Sequence, residues 1–466
     1  MNLSVEEFSM IVGGQPSGFA PGAALTGFAT DHREIKPGDF FIAIKGARVD
    51  GHDFVEEAVK AAAAGAIVER TVASPHVLVP NLVEGLAKLG RHFRSKFEGP
   101  VIGITGSAGK TTTKEFTAAA LTSLGPVIKS EGNKNTEYTS PLVWPLAISP
   151  PATNDVPAES SPVGAVIEMA MRGAGQIKHL SEIHRPTIGL ITNIGYAHLE
   201  KVGSRGGIAD AKAELIDALP ADGTAILWQE DPFLEQLRVR AGERRIFTFG
   251  ASQEADCRIE HYRALSWTES WIKGRCLGTS FEAKLPTVGK HQALNAAAGL
   301  LAAVEAGADV TKAAALLKDA TIPEMRMQVI NANMAMIMLD TYNASPPSMI
   351  AAIETLAELP CMGRKMAIIG EMKELGDYTI EAHREVGRAL VKANLHKILF
   401  YGMPTTFARQ ELVRAGAPQN RLLMATELKD VQEFLQVEVQ PGDAVLIKGS
   451  RALELEKALD GMKVGA

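Results

Sequence analysis

Residues 103–113 read Gly-Ile-Thr-Gly-Ser-Ala-Gly-Lys-Thr-Thr-Thr. They follow a short apolar strand, Val101 to Ile104, and lead into a helical pattern expected to start near Lys114. Strand, glycine loop and helix in that order make a cradle for phosphate. The loop Gly106-Ser107-Ala108-Gly109 would turn backbone N–H groups toward the anion, and the helix N-terminus adds partial positive charge. Lys110 would neutralise phosphate oxygens, Thr111 can ligate Mg²⁺, and Thr112 follows in the same turn. Glycines at 106 and 109 let the chain approach the anion without a Cβ in the way. Ile104 stands where the strict pattern has Gly or Ala, with Gly103 displaced by one position. A glycine-rich turn with a stray lysine is the competing reading, but Gly-Lys-Thr-Thr at a strand–helix junction is specific. The chain is expected to bind a nucleotide triphosphate.

At 466 residues, about three domains are expected. An apolar fraction of 46% and a charged fraction of 22% are those of an ordinary globular protein. A net charge of −6 argues against a nucleic-acid partner. Cys257, Cys276 and Cys361 are widely spaced with no C-x-x-C, which predicts buried free thiols rather than a disulfide framework or zinc site. The opening Met-Asn-Leu-Ser-Val-Glu-Glu has no basic-then-apolar signal, and no apolar run approaches the ~18 residues a bilayer requires. A cytoplasmic protein without membrane insertion is expected.

Segments 1–98, 99–322 and 323–466 are the expected domains of an α/β protein. In the first, a small α/β unit, Asp39–Ala43 and Ala66–Glu69 read as strands, and Phe54–Ala64 and Glu84–Lys96 as helices, with a hinge near Glu98-Gly99-Pro100. In the second, Val163–Met169, Thr187–Asn193 and Thr224–Trp228 suit a buried parallel sheet. Ser149–Pro162 reads as an internal loop, residues 246–287 as short strands and turns, and Gln292–Gly307 as an Ala-rich helix. In the third, strands at 334–340, 366–369, 397–401, 421–424 and 444–447 alternate with helical patterns at 348–358, 380–393, 428–436 and 453–461. That rhythm predicts a doubly wound, Rossmann-like sheet. It lacks a G-x-G-x-x-G fingerprint, so a dinucleotide cofactor is not supported.

Other clusters narrow the chemistry. Glu168 ends a strand, where ligands of such sheets gather, and a carboxylate there suits Mg²⁺; a merely solvated acid is the alternative. His198, in Thr-Asn-Ile-Gly-Tyr-Ala-His, reads alone as a structural histidine and, beside Glu168 and the phosphate loop, as a second metal ligand. Lys212 has alanines on both sides that would let its amine enter a crowded site, although a surface lysine has the same spelling. Asn133 and Asn135 could bind an acceptor substrate through their amides, or simply form a turn.

The ordered set resembles the Mur ligases, ATP-dependent enzymes that add amino acids to the peptidoglycan precursor. The resemblance spans nearly the whole chain. It takes in Lys36-Pro-Gly-Asp-Phe-Phe-Ile-Ala-Ile-Lys-Gly, Asp50-Gly-His-Asp-Phe, the phosphate loop, Glu168-Met, Asn193 to Glu200 and Lys212-Ala-Glu-Leu. It continues with Leu339-Asp-Thr-Tyr-Asn-Ala-Ser-Pro-Pro-Ser-Met, Gly370-Glu-Met-Lys-Glu-Leu-Gly and Lys448-Gly-Ser-Arg. The Tyr-Asn-Ala and Glu-Leu-Gly segments favour the branch that adds D-alanyl-D-alanine to UDP-MurNAc-tripeptide. Four departures touch substrate detail more than ATP chemistry: Asp31-His32-Arg33 for Asp-Ser-Arg, His291-Gln292 for His-Asn, Met325-Arg326 for Gly-Arg, and Thr139 or Ser140 for a glycine.

The resemblance implies that ATP phosphorylates the acceptor carboxylate and that the dipeptide amine then displaces phosphate. It implies two Mg²⁺ ions, one on Thr111 and Glu168, the other bridged through His198 and a carbamylated Lys212. Lys110 and Arg326 would meet the phosphates, Asp340 the ribose and Asn295 the adenine. Asp31 and Arg33 would lie at the nucleotide-sugar end, and Asn343, Lys448, Ser450 and Arg451 at the dipeptide end. A monomer is expected. The alternatives are a sibling ligase with another amino acid or acceptor, and a non-ligating phosphate-loop kinase or switch. A switch would need neither the Glu168, His198 and Lys212 set nor a third doubly wound domain.

Overall fold

The structure, a computed structural model, describes residues 1–46, 49–132, 134–148, 161–196, 199–460 and 462. By compactness the chain divides into two units: residues 1–104, 124–189 and 214–223, and residues 105–123, 190–213 and 224–466.

In the first unit, helix α1 (Val5–Val12) precedes strands β1 (Gln15–Ser17), β2 (Gly27–Ala29) and β3 (Asp39–Ile42). Helix α2 (Val55–Lys60), strands β4 (Gly65–Val68) and β5 (His76–Leu78) and helix α3 (Leu82–Arg94) follow. The sheet order is β1-β5-β4-β3-β2, parallel except at β1. The Asp50-Gly-His-Asp-Phe motif is a structural pin here. Buried His52 donates from Nδ1 to Asp50 at 2.6 Å, and its Nε2 accepts the Glu69 N–H at 2.9 Å, tying the turn before α2 to the end of β4.

Strand β6 (Val101–Thr105) leads into helix α4 (Lys110–Leu121), four residues earlier than the sequence suggested, because the helix starts directly at the left-handed Gly109. Strands β7 (Val127–Lys129) and β8 (Gly164–Glu168) are parallel, with β8 between β6 and β7. Helix α5 (Gln176–His184) ends at a buried polar knot. The Trp144 indole N–H donates to His184 Nδ1 and the ring's Nε2 faces Ser140 Oγ, both at 2.8 Å. Burial first, and then the Arg94 charge, pushes the His184 pKa down to about 3, so the ring is neutral. Most of the loop expected at 149–162 lies outside the described residues.

Strand β9 (Ile188–Ile191), helix α6 (Arg205–Asp217) and strand β10 (Thr224–Trp228) follow. In the second unit β10 pairs in parallel with β11 (Arg245–Gly250). The short strands expected after 246 form an antiparallel meander, β12 (Cys257–Ala264), β13 (Ser270–Cys276) and β14 (Thr279–Leu285). Helix α7 (Lys290–Glu305) packs its Ala296–Gly299 face on α4. A Cβ on Gly299 would sit 2.8 Å from the Thr117 backbone nitrogen, so only a stripe of minimal side chains permits this approach.

The last segment contains β15 (Gln328–Ala332), β16 (Ala335–Asp340), α8 (Pro346–Glu358), β17 (Lys365–Gly370), α9 (Thr379–Ala393) and β18 (Lys397–Tyr401). Then come α10 (Thr405–Arg414), β19 (Leu422–Ala425), α11 (Leu428–Val437) and β20 (Ala444–Lys448). The order is β15-β16-β20-β17-β18-β19, parallel except at β15. Helices α8, α9 and α10 pack on one face through Met349, Val386 and Leu412, and α11 on the other through Val431 and Phe434. That is the expected doubly wound sheet. In the described part of the helix expected at 453–461 the chain forms a short 3₁₀ segment, Leu455–Leu459, after another that ends at Leu453, and β15 and α10 were not foreseen. Cys257 and Cys276 are buried thiols facing each other in the β12–β13 register, whereas Cys361 is only half-buried.

Candidate active site

The phosphate loop is held from one side by the chain that leaves β9. Ser107 and Ala108 donate their N–H groups to the Asn193 carbonyl (3.0 Å) and Oδ1 (3.1 Å). The Ala108 carbonyl accepts from Thr192 Oγ1 at 2.6 Å and Asn193 Nδ2 at 3.0 Å. Gly195 N–H donates to Ser107 Oγ at 2.8 Å. Two of the loop N–H groups assigned to phosphate are thus spent on fixing the loop. The start of α4 is left to face the anion, since the leading N–H groups of a helix lie ahead of its i−4 ladder, which begins where the Thr113 N–H meets the Gly109 carbonyl at 2.8 Å. Both glycines are required by space as well as by conformation. A Cβ on Gly106 would lie 1.8 Å from Thr192 Oγ1, and one on Gly109 2.5 Å from Asn295 Oδ1.

Lys110 opens α4, and its Nζ donates to the Gly106 carbonyl at 2.9 Å. Thr111 and Thr112 are buried beside it. Asn295, one turn into α7, reaches the loop because α7 packs on α4. Its Oδ1 accepts from Thr113 Oγ1 at 3.3 Å and its Nδ2 donates to Gln292 Oε1 at 2.9 Å. Gln292, a departure from the family's asparagine, therefore sets the orientation of the Asn295 amide.

Lys212 is 2% exposed on α6, between buried Ala211 and Ala213. Burial, and secondarily the charge of Lys110, holds its amine well below the usual lysine range. The two lysines are thus electrostatic neighbours. His198 and Asn133 lie outside the described residues.

Glu168, in the other unit, is 2% exposed. Its N–H donates to Ser130 Oγ at 3.0 Å, and its Oε1 accepts from Asn135 Nδ2 at 2.8 Å. Oε2 has no hydrogen-bond partner among the described residues. A buried carboxylate with one oxygen orphaned is costly unless a cation completes it, which suits a hard divalent ion such as Mg²⁺. Asn135, expected to hold substrate, spends one amide proton aiming this acid. In the same unit the Arg33 guanidinium donates to both Asp31 oxygens, and that contact, first among its causes, brings the Asp31 pKa down to about 2. Asp31 also caps its own turn through the Arg33 N–H at 2.9 Å.

At the carboxyl ends of β16, β20 and β17 a second cluster forms. Lys448 is 1% exposed and donates to Asp340 Oδ2 at 2.6 Å, to the Asn343 carbonyl at 2.9 Å and to the Asp340 carbonyl at 3.3 Å. All three of its protons are accounted for, so it shapes the 340–343 turn instead of reaching outward. Ser450 Oγ accepts the Lys373 N–H at 2.9 Å, and half-exposed Arg451 pairs with Glu456. Asn343 is exposed and accepts the Ala344 N–H at its own Oδ1. Arg326 lies 4.0 Å over the Tyr342 ring, with its buried Nε unpartnered among the described residues. It sits between Met325 (φ 57°) and Met327 (φ 55°), both in the left-handed region.

Asn193, Thr192 and Gln292 carried no role of their own in the sequence, and Ser130 no signal at all, because they act through other residues. For the first three the only signal was proximity to a motif.

A phosphate loop on a parallel strand, a buried lysine near it whose amine is held well below the usual lysine range, a buried acid with one oxygen unpartnered among the described residues and a Rossmann-like segment define a nucleotide-using enzyme of the α/β class. Three segments match family models: residues 25–94 the Mur ligase family catalytic domain, 104–303 the Mur ligase middle domain, and 325–451 the Mur ligase, glutamate ligase domain. The chain is 33% identical over 440 residues to the UDP-N-acetylmuramoyl-tripeptide–D-alanyl-D-alanine ligase of Bacillus subtilis (strain 168), covering 93% of this chain and 92% of that one. The crystal structure of MurF from Acinetobacter baumannii superposes with a TM-score of 0.83 at 28% identity, over 98% of each chain. MurF ligase from Thermotoga maritima in complex with ADP gives 0.75 at 33% identity, over 93% of this chain and 96% of that one. The chain belongs to the Mur ligase family, with the family's three-domain α/β fold.

Proposed function

We propose that this protein is the ligase that joins D-alanyl-D-alanine to UDP-MurNAc-tripeptide, giving UDP-MurNAc-pentapeptide, ADP and phosphate in peptidoglycan synthesis. The observation that carries the reading is the 33% identity, over more than nine-tenths of the chain, to ligases of that name. ATP binding is supported by the phosphate loop and by the ADP complex of the Thermotoga maritima relative. Residues 1–98 take the nucleotide-sugar end, 99–322 hold ATP, and 323–466 receive the dipeptide. The enzyme works as a cytoplasmic monomer.

The obstacle is electrostatic: an acceptor carboxylate must approach a polyanionic triphosphate. Lys110, from the first turn of α4, and Arg326, aimed by the Tyr342 ring, supply positive charge against the phosphates. Thr111 and Glu168 would hold one Mg²⁺, and His198 and Lys212 a second; bound there, the ions screen repulsion and stabilise the transferring phosphoryl group. The orphaned Glu168 Oε2 and the depressed Lys212 amine support this assignment. A neutral amine reacts with CO₂ to give a carbamate, a hard oxygen ligand where an ammonium would repel the cation, so Lys212 is carbamylated in the working enzyme. Asn295 reads adenine and Asp340 the ribose. Asp31, Arg33, Asn133 and Asn135 serve the acceptor side, directly or, for Asn135, through Glu168. Asn343, Ser450 and Arg451 serve the dipeptide side, with Lys448 fixing the turn that carries Asn343.

Phosphate release is the test. Purified protein with ATP should release phosphate at an appreciable rate only when UDP-MurNAc-tripeptide and D-alanyl-D-alanine are both present. Equal release with neither, or transfer of the phosphate to a stable product, would identify a switch or a kinase instead.

A further inference from the structure

Away from the phosphate loop, Tyr196 lies flat on Tyr378, with ring centroids 4.2 Å apart and planes 5° from parallel. The two residues come from different family segments, the middle one and the C-terminal one. Each ring is fixed from behind. The Arg205 guanidinium lies 4.6 Å from the Tyr196 ring centroid and 5.0 Å from that of Phe233, and donates to the Ile194 carbonyl at 3.0 Å. The Tyr378 hydroxyl donates to Glu385, two turns along α9. Beside the stack Gly376 is left-handed (φ 52°), and a Cβ there would sit 3.6 Å from Glu200 Cα, so the backbones themselves meet.

The Tyr196 side of this contact is wired to the chemistry twice. Tyr196 ends the Thr192–Gly195 segment that pins the phosphate loop, and Arg205 begins the helix that carries Lys212. The C-terminal segment is also tied to the middle one elsewhere, by Trp267 Nε1 to the Pro360 carbonyl at 3.0 Å and by Lys290 to Glu358 at 2.6 Å. The aromatic stack is a separate attachment, on the element next to the phosphate-loop supports.

We infer that the Tyr196–Tyr378 stack is a clasp that holds the C-terminal segment on the ATP-binding segment while the acyl phosphate exists, with Tyr378 as a positioning residue. This rests on the ligase reading above. Without the clasp, water takes the place of the dipeptide amine. Its oxygen bonds to the carbonyl carbon, the carbon–oxygen bond to phosphate breaks, and phosphate leaves with the electron pair. The water protons pass to solvent, and the carboxylate is restored. The net reaction becomes ATP and water to ADP and phosphate.

The experiment measures phosphate and pentapeptide together, with all three substrates present. The wild type should give a ratio near one. Tyr378→Ala should raise that ratio several-fold, with ATP cleavage surviving, and Tyr378→Phe, which keeps the ring, should remain near one. A ratio of one in Tyr378→Ala, loss of both products together, or equal uncoupling in the Phe and Ala variants would overturn the clasp. Wild-type protein that makes no pentapeptide would instead indict the ligase reading. A structural measurement then decides the clasp alone: Tyr196→Ala should speed amide hydrogen exchange at residues 374–379, and unchanged exchange there would refute it.

Discussion

Lys110 shows what a single charge is asked to do. It stands at the first position of α4, over a loop closed by Asn193 and Thr192, so its removal costs the bond to the Gly106 carbonyl and leaves those other supports in place. A charge-assisted hydrogen bond is worth about 1.5–3 kcal/mol, and preorganised charge in phosphoryl transfer more. Lys110→Ala is expected to lower kcat by at least about two orders of magnitude with an unchanged melting temperature; near-normal turnover in folded protein would contradict the phosphate-loop role. Met325 carries the opposite lesson. It occupies a left-handed backbone position where the resemblance places glycine, and the Gln328 side chain and the Tyr342 N–H hold it there. Left-handed geometry costs an L-residue about 1–2 kcal/mol. Met325→Gly should therefore be more stable than Met325→Ala by about 1 kcal/mol in urea unfolding, although both lose the same packing. Alanine equal or superior would remove the strain argument. The motif residues were legible because phosphate chemistry prescribes residue types at fixed spacing. The supporting roles of Asn193 and Ser130 were not, because a hydrogen-bond support can be any polar side chain that the fold delivers.

Among elements, apolar runs with clear ends read best: Thr224–Trp228 and Lys397–Tyr401 form strands over the residues their periodicity indicates. Boundaries decided by backbone geometry read worse. Helix α4 starts at Lys110, not near Lys114, because Gly109 adopts a left-handed turn that no hydrophobic pattern reports. The 453–461 stretch has helical spacing, yet left-handed Glu454 sits between two 3₁₀ segments, Arg451–Leu453 and Leu455–Leu459. Helix α6 matters most to function, since it carries Lys212 between alanines small enough to bury the amine. A carbamate at this position predicts chemical rescue. Lys212→Ala should lose activity and regain part of it with added formate or acetate, which restore a carboxylate oxygen in the vacated space. Full activity of the unrescued variant would show that Lys212 is dispensable.

Across the molecule, the resemblance drew its strength from order: sugar-end motif, phosphate loop, strand-end acid, buried lysine and Rossmann-like segment follow one another along the chain as three family segments do. The fold class followed from the alternation of strands and helices. The clustering of Asp340, Lys448 and Arg326 needed three dimensions, because β16 and β20 are neighbours in the sheet although about a hundred residues of chain separate them. The same holds for Tyr196 and Tyr378. None of this identifies the incoming group as directly as the product does. Mass spectrometry of a reaction containing the protein, ATP, Mg²⁺, UDP-MurNAc-tripeptide and a panel of single amino acids and dipeptides is the decisive measurement. UDP-MurNAc-pentapeptide should form from D-alanyl-D-alanine; coupling of a single amino acid with the dipeptide ignored would overturn the assignment.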